Sequence, residues 1–156
     1  MKNLIIAAAL CLCWTNIFAQ LEASHWHLNN QQSIVFENGE PTLGGPSSMV
    51  TVEANASYAD ENGNLLFYTN GGPSPTPPGL GSGKIWNRNH EVMYDMGFDQ
   101  GGGSSANTGA VIFPVPGQDN KYYLFVVGAA EENFRGLCYF IIDMDLNGGL
   151  GRVETY

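Results

Sequence analysis

Short apolar runs that lack a polar face constrain the fold of this chain more than any other feature. Leu65–Tyr68, Tyr123–Val127 and Tyr139–Ile142 are apolar or aromatic at every position. A strand with one face in water would alternate, so these runs predict strands that are covered on both faces. No window has a helical period over ten residues, so no helix is expected to cover them. Sheets must therefore pack on other sheets, as in a β-sandwich or a β-propeller.

The composition agrees with an all-β chain that has many turns. Charged residues make up only 13%, and the 156 residues include 20 glycines and 8 prolines. The turn-forming segments 60–64 and 116–120 predict hairpins, so the sheets should be antiparallel. The predicted strands are Ser24–Leu28, Ile34–Phe36, Val50–Ala59, Leu65–Thr69, Lys84–Asn87, Glu91–Tyr94, Ala110–Val115, Tyr122–Val127 and Leu137–Met144.

An internal repeat favours the propeller over the sandwich. Leu65–Asn70 aligns with Tyr123–Gly128, and Lys84–Trp86 aligns with Cys138–Phe140, at spacings of roughly 55 residues. Propellers usually have at least about four blades. Two complete units and part of another are visible, and a new strand begins within Arg152–Tyr156. We therefore expect residues 20–156 to form a partial β-propeller-like domain, truncated at its C-terminus, of a longer protein.

The first 19 residues predict a cleaved secretory signal peptide. Lys2 supplies the positive charge, Leu4–Trp14 forms an apolar core, and Ala19 fits the residue before the cleavage site. The apolar run is too short for a transmembrane anchor, which needs about 20 residues. We therefore expect a secreted or cell-surface protein. Cleavage would leave Cys138 as the only cysteine of the mature chain. Its apolar neighbours predict a buried core thiol.

Charge and motif content exclude several classes of function. The formal net charge is −9, which makes nucleic acid and anionic membrane surfaces poor partners. After the signal peptide, no segment is apolar enough to insert into a membrane. The serine-nucleophile pattern G-x-S-x-G is absent, and the glycine-rich segment 79–85 lacks the spacing of a phosphate-binding loop. The sequence therefore predicts neither catalytic residues nor an organic cofactor.

One segment matches a calcium-binding loop. The residues from Asp143 to Glu154 fit the twelve-residue pattern D-x-[DN]-x-[DN]-G-x₅-E. Its oxygen ligands would be Asp143, Asp145, Asn147 and Glu154. The segment before this loop is a predicted strand instead of a helix. A plain glycine-rich turn therefore explains the same residues, and we favour the turn over a Ca²⁺ site.

The histidines allow a second metal hypothesis. His25 and His27 lie two residues apart, so one face of a strand would carry both imidazoles. Zinc needs at least one more ligand, and His90 is the only other histidine in the chain. We favour an ordinary strand with a partly exposed face over a zinc site.

Four motifs in this order resemble the N-terminal propeller-like region of large secreted proteins from gliding bacteria. They are Trp26–Asn30 followed by Ile34–Phe36, then Asn62–Gly71, Ile85–Met93 and Asp143–Gly151. The resemblance covers nearly all of the chain after the signal peptide. It implies a blade-like all-β fold, and export through the type IX system by a C-terminal sorting domain that this sequence does not contain. It supplies no catalytic residues.

Two hypotheses for the function follow. The first is a non-enzymatic exported scaffold or binding segment of a cell-surface or adhesin-like protein. Its partners would be the rest of the same polypeptide, surface proteins or glycans, and the loops Gly71–Gly83 and Gly97–Asn107 would form a variable binding surface. The alternative is part of a secreted propeller hydrolase that acts on carbohydrate with acidic residues at a central channel.

Overall fold

The computed structural model describes residues 21–74, 81–130 and 136–154. The predicted signal peptide, residues 1–19, lies outside these ranges. The described residues form strands, turns and two short 3₁₀ helices, Leu21–Ala23 and Asn147–Gly149. None of their helices is long and apolar enough to cross a membrane. The all-β prediction is therefore confirmed.

The strands form three antiparallel sheets that follow one another along the chain. The first sheet contains β1 (His25–Leu28), β2 (Gln32–Glu37) and β3 (Glu40–Leu43). The second sheet contains β4 (Ala56–Ala59), β5 (Leu65–Thr69), β6 (Gly83–Asn87) and β7 (Val92–Gly97). The third sheet contains β8 (Ala110–Pro114), β9 (Lys121–Val127), β10 (Leu137–Asp143) and β11 (Arg152–Val153).

Each sheet is an up-and-down meander in which neighbouring strands follow one another in sequence. The repeat seen in the sequence matches this topology, because β5 and β9 are second strands and β6 and β10 are third strands. The predicted hairpin between β4 and β5 is present. There the Asp60 carboxylate accepts the backbone N–H groups of Asn62 and Asn64 at 2.9 and 2.8 Å, and Gly63 takes a φ of +81°.

The second sheet lies between the other two. All five residues of β5 are buried, which confirms the prediction that this run is covered on both faces. One core, between the second and third sheets, includes Phe67, Ile85 and Leu124. A smaller core on the opposite side of the second sheet contains Met49, Leu65, Tyr68 and Trp86.

The sheets also meet along their first strands. β1 contacts β4, and β4 contacts β8. At the opposite side of the stack, β7 contacts β11. Because β1, β4 and β8 are the edge strands of their sheets, three sheet edges lie next to one another. This arrangement creates the cleft described below.

The structure shortens one predicted strand and contains one strand that was not predicted. The predicted strand Val50–Ala59 is shortened to Ala56–Ala59 because its first half pairs with a loop. The backbone N–H groups of Glu53 and Ala54 donate to the Ser104 carbonyl instead of to a strand. β3 was not predicted, since its sequence contains Pro41 and all four of its residues are exposed.

The two glycine-rich loops of the predicted variable binding surface are partly interior, and residues 75–80 of the first loop lie outside the described ranges. All eight residues of the segments 71–74 and 101–104 are buried. The Gly102 N–H donates to the Gly71 carbonyl at 2.8 Å, and the Ser104 N–H donates to the Pro73 carbonyl at 3.2 Å. A Cβ atom on Gly102 would lie 2.4 Å from the Val127 carbonyl oxygen. Glycine is therefore needed here because two backbones touch.

The third sheet has one covered and one open face. Leu124, Val126 and Ile142 point into the core and are buried. The opposite side, called the outer face below, carries residues that alternate with them: Val111, Phe113, Tyr123, Phe125, Leu137 and Tyr139. Leu137 is 69% and Tyr139 54% exposed, so the prediction of two covered faces is wrong for β10. Cys138 lies on the covered side, half-buried and packed against the core.

Candidate functional site

The structure gathers the calcium candidates around one end of the third sheet. Asp143 ends β10, Asp145 and Asn147 lie in the following turn, and Glu154 follows β11. Asn147 and Gly148 both take positive φ values, 54° and 64°. The backbone of this segment therefore turns tightly at these two residues.

A lysine already engages the outer carboxylates of this motif. Lys121 Nζ lies 3.1 Å from Asp143 Oδ2 and also pairs with Glu154 Oε1. Asp145 Oδ1 accepts a hydrogen bond of 2.8 Å from the Asn120 side chain. Within residues 21–74, 81–130 and 136–154, no group of three or more His, Cys, Asp or Glu side chains is arranged to hold a metal ion. Calcium binding stays a prediction.

The three histidines lie close together, but their nitrogens are largely used in the fold. His25 and His27 stack with ring centroids 6.5 Å apart, as expected for one strand face. His25 Nε2–H donates to the Gly63 carbonyl at 3.0 Å. His90 Nδ1 lies 3.1 Å from the hydroxyl of Tyr68, which also accepts the Ser48 N–H. The cluster therefore joins the first and second sheets.

His27 is the most buried member of this cluster. Its ring stacks on Tyr68 with centroids 3.9 Å apart, and its Nδ1 lies 3.0 Å from Ser47 Oγ. Its Nε2 is buried without a hydrogen-bond partner among the described residues. Burial, reinforced by the nearby His90 and His25, lowers the pKa of His27 to about 4. His27 is therefore neutral at pH 7 and acts as part of the core.

A cleft of about 460 Å³ opens where the first strands of the three sheets meet. Its walls come from β1, β4 and β8 and from the segment just before β1. This volume lies within the range of roughly 300–1,000 Å³ that is usual for small-ligand sites. The cleft is the candidate functional site of the molecule.

Trp26 is the most prominent side chain of the cleft. It is 49% exposed, although its ring is held in place from two sides. The indole Nε1–H donates to the Ala23 carbonyl at 3.0 Å, and the ring packs on Phe36 with centroids 5.0 Å apart. Trp26 therefore offers a fixed aromatic surface to the cleft.

Polar groups surround this aromatic surface. His25, Asn55, Tyr58 and Glu22 also line the cleft. Burial, with a smaller contribution from the Glu22 carboxylate, raises the pKa of Tyr58, so its hydroxyl keeps its proton at neutral pH. The cleft thus combines an apolar ring with hydrogen-bonding side chains.

No protein-family model, no curated protein and no solved structure matches this chain. The resemblance to secreted proteins of gliding bacteria therefore stays a prediction. The functional proposals below therefore depend on the geometry of this cleft and of the outer face of the third sheet.

Sequence reasoning did not single out this cleft. The sequence places Trp26 in the first resemblance motif, Trp26–Asn30, and it assigns no ligand-binding role to Glu22, Asn55 or Tyr58. Their separation in the sequence hides the site, because only the contacts of β1 with β4 and of β4 with β8 bring them together. The one signal in the sequence was a tryptophan between two histidines on a predicted strand with a partly exposed face.

Proposed function

We propose that this chain is a non-enzymatic, exported scaffold or binding segment of a cell-surface or adhesin-like protein, in which the sheets stack as blades of a partial β-propeller. The order of the sheets supports this proposal: they follow the chain, and their first strands lie side by side. The signal-like N-terminus and the resemblance to secreted proteins of gliding bacteria support the exported location and the type IX route.

The outer face of the third sheet carries the proposal. This face is a row of apolar side chains across β8, β9 and β10. The opposite face of the same strands packs on the second sheet. Apolar patches of this kind mark interaction sites in soluble proteins. The occupant we propose is a further antiparallel sheet of the same polypeptide, because this would continue the stacking of one sheet on the next.

The aromatic rings of this face are arranged for packing against side chains. Phe113 and Phe125 stack with centroids 5.3 Å apart and planes within 9°, and Phe125 stacks on Tyr139 at 5.7 Å. Rings that are nearly parallel and offset at these distances cover only part of each other's faces. Such a ridged surface suits the interdigitating side chains of a second sheet.

An experimental structure of the intact gene product tests this proposal directly. We expect Phe125 and Tyr139 to lose their solvent exposure to side chains of another sheet, with the aromatic stack unchanged. An intact protein in which both rings remain open to solvent would contradict the scaffold role.

The hydrolase alternative makes a different demand on the cleft. Glycoside hydrolysis generally uses two carboxyl groups about 5–10 Å apart on either side of the scissile bond. Glu22 is the one carboxylate among the described residues that line the cleft. The scaffold proposal therefore expects no turnover of oligosaccharides by the secreted protein, and sustained release of reducing sugar would favour the hydrolase.

A further inference from the structure

The geometry points to the cleft between β1, β4 and β8 as a binding site for a neutral pyranose oligosaccharide, with Trp26 as its stacking platform. This inference concerns the cleft alone and does not depend on a fourth sheet covering the outer face. It assigns a ligand class to a site formed by three sheets.

The first argument is the state of the Trp26 ring. About half of its surface is open, yet its Nε1–H is already satisfied by Ala23 and its body rests on Phe36. An exposed tryptophan that is held in place loses little conformational entropy when a ligand covers it. The C–H-rich face of a pyranose ring is the natural complement to such a flat apolar surface, because it buries apolar area without desolvating its hydroxyls.

The second argument is the set of polar groups beside the ring. Tyr58 offers a protonated hydroxyl and Asn55 an amide group, while Glu22 offers carboxylate acceptors. A sugar presents hydroxyls that both donate and accept, so it can use donors and acceptors of this kind together. A purely apolar ligand would cover these groups without offering them hydrogen-bond partners, which is unfavourable.

The third argument is charge. Glu22 also lines an adjoining cleft of about 670 Å³ that contains Asp60, Glu61 and Asp119. The lysine of that second cleft, Lys121, is paired with Asp143 and Glu154. The local field is therefore negative, so sugars that carry carboxylates or sulfates would be repelled. This selects neutral sugars over acidic ones.

Ring geometry separates this cleft from the outer face. On the outer face, Phe125 contacts two aromatic rings, Phe113 and Tyr139, so part of its ring surface is already covered by protein. Among the described residues, Trp26 has a single aromatic-ring contact, with Phe36 at a tilt of 59°. Of these two aromatic surfaces, the cleft is the one suited to stacking on a sugar.

The secreted chain with its signal peptide removed can be titrated with neutral tetrasaccharides of β-1,4-glucose, β-1,4-N-acetylglucosamine and α-1,6-mannose. Tetragalacturonate is the acidic probe. Tryptophan fluorescence reports binding at the cleft, because Trp26 is exposed to the ligand whereas Trp86 is only 5% exposed. We expect at least one neutral probe to shift the emission to shorter wavelength and to be recovered intact, with little response to tetragalacturonate.

Calorimetry on two variants locates the site. Trp26→Ala should weaken binding at least about tenfold, since it removes the platform. Tyr139→Ala removes an aromatic residue of similar exposure, 54%, from the outer face and should leave binding unchanged. Circular dichroism checks that both variants fold. If Trp26→Ala does not fold, Trp26→Phe keeps a ring against Phe36 and should weaken binding by roughly threefold.

Three results would overturn the inference. The first is an absence of response to every neutral probe at about 10 mM, which is roughly ten times a weak Kd of about 1 mM. The second is binding that Trp26→Ala or Trp26→Phe leaves unchanged. The third is tighter binding of tetragalacturonate than of any neutral probe. None of these results would affect the scaffold proposal, which is tested by the covering of Phe125 and Tyr139.

Discussion

A single buried imidazole makes the stability of this protein depend on pH. His27 lies between Tyr68 and the other two histidines, and burial lowers its pKa from 6.5 to about 4. The unfolded chain therefore takes up a proton at a higher pH than the folded chain does. The contribution of neutral His27 to the free energy of unfolding is fully present above pH 6.5, and it is lost as the pH falls toward 4.

We expect the free energy of unfolding to fall between pH 7 and pH 5, with up to about 3 kcal/mol lost by pH 4 from this residue. Urea unfolding at a series of pH values measures this dependence. His27→Phe keeps the stacked ring and should flatten the slope, whereas His25→Gln, the matched control on the same strand, should largely preserve it. A slope that is unchanged in His27→Phe would show that other groups cause it.

Close backbone contact makes Gly102 a second critical residue. Its position lies beside Val127, and a side chain would meet the backbone of that residue at 2.4 Å. We expect Gly102→Ala to lower the free energy of unfolding by about 2 kcal/mol or more, since strands must move to admit the methyl group. Gly45→Ala is the control, because a Cβ atom there meets nothing within 4 Å. Equal melting temperatures for the two variants would refute the close-contact argument.

Among the elements, the last three strands are joined by one cation. Lys121 on β9 pairs with Asp143 at the end of β10 and with Glu154 after β11. The two carboxylates, Glu154 first and then Asp143, raise the pKa of Lys121, so it remains charged well above neutral pH. Lys121 therefore lies between two of the carboxylates that the calcium alternative would use as ligands.

We expect Lys121→Met to lower the melting temperature at pH 7, since two carboxylates lose their shared counter-charge. Millimolar Ca²⁺ should restore part of the loss in this variant and have less effect on the natural chain. Differential scanning calorimetry with and without Ca²⁺ measures both effects. Lys84→Met on β6 is the control and should not respond to Ca²⁺. A calorimetric titration of the natural chain that gives no heat at millimolar Ca²⁺ would remove the calcium hypothesis.

At the scale of the whole molecule, the stack of sheets ends in an open apolar face. Adjacent residues of β9 have opposite roles: Leu124 is fully buried in the core, whereas Phe125 lies on the outer face. We expect Leu124→Ala to cost about 2–5 kcal/mol of stability. The double variant Phe125→Thr with Tyr139→Thr should change stability by much less, and it should reduce both dye binding and concentration-dependent association.

Fluorescence of a hydrophobic dye and light scattering over a range of protein concentrations measure these effects. The Leu124→Ala variant serves as the control for destabilisation, because it leaves the outer face intact. If the double variant associates as readily as the natural chain, the outer face is not the surface through which the chains associate.

Much of the fold could be predicted from the sequence because its signals are local. The apolar run Leu65–Tyr68 indicates a strand by its composition, and Gly63 with Asp60 indicates the adjoining turn. The alignment of β5 with β9 and of β6 with β10 likewise anticipated the repeated meander. Signals of this kind depend on residues that are close in sequence, so no knowledge of packing is needed.

The tertiary structure alone decided which surfaces are covered and where a site can form. The runs around Phe67 and Phe125 look alike in sequence, yet one is buried on both faces and the other only on one. Backbone contacts, which the sequence does not reveal, bury residues 71–74 and 101–104 of the two glycine-rich loops. The Trp26 cleft exists because three edge strands meet, and such long-range contacts leave no pattern in a single sequence.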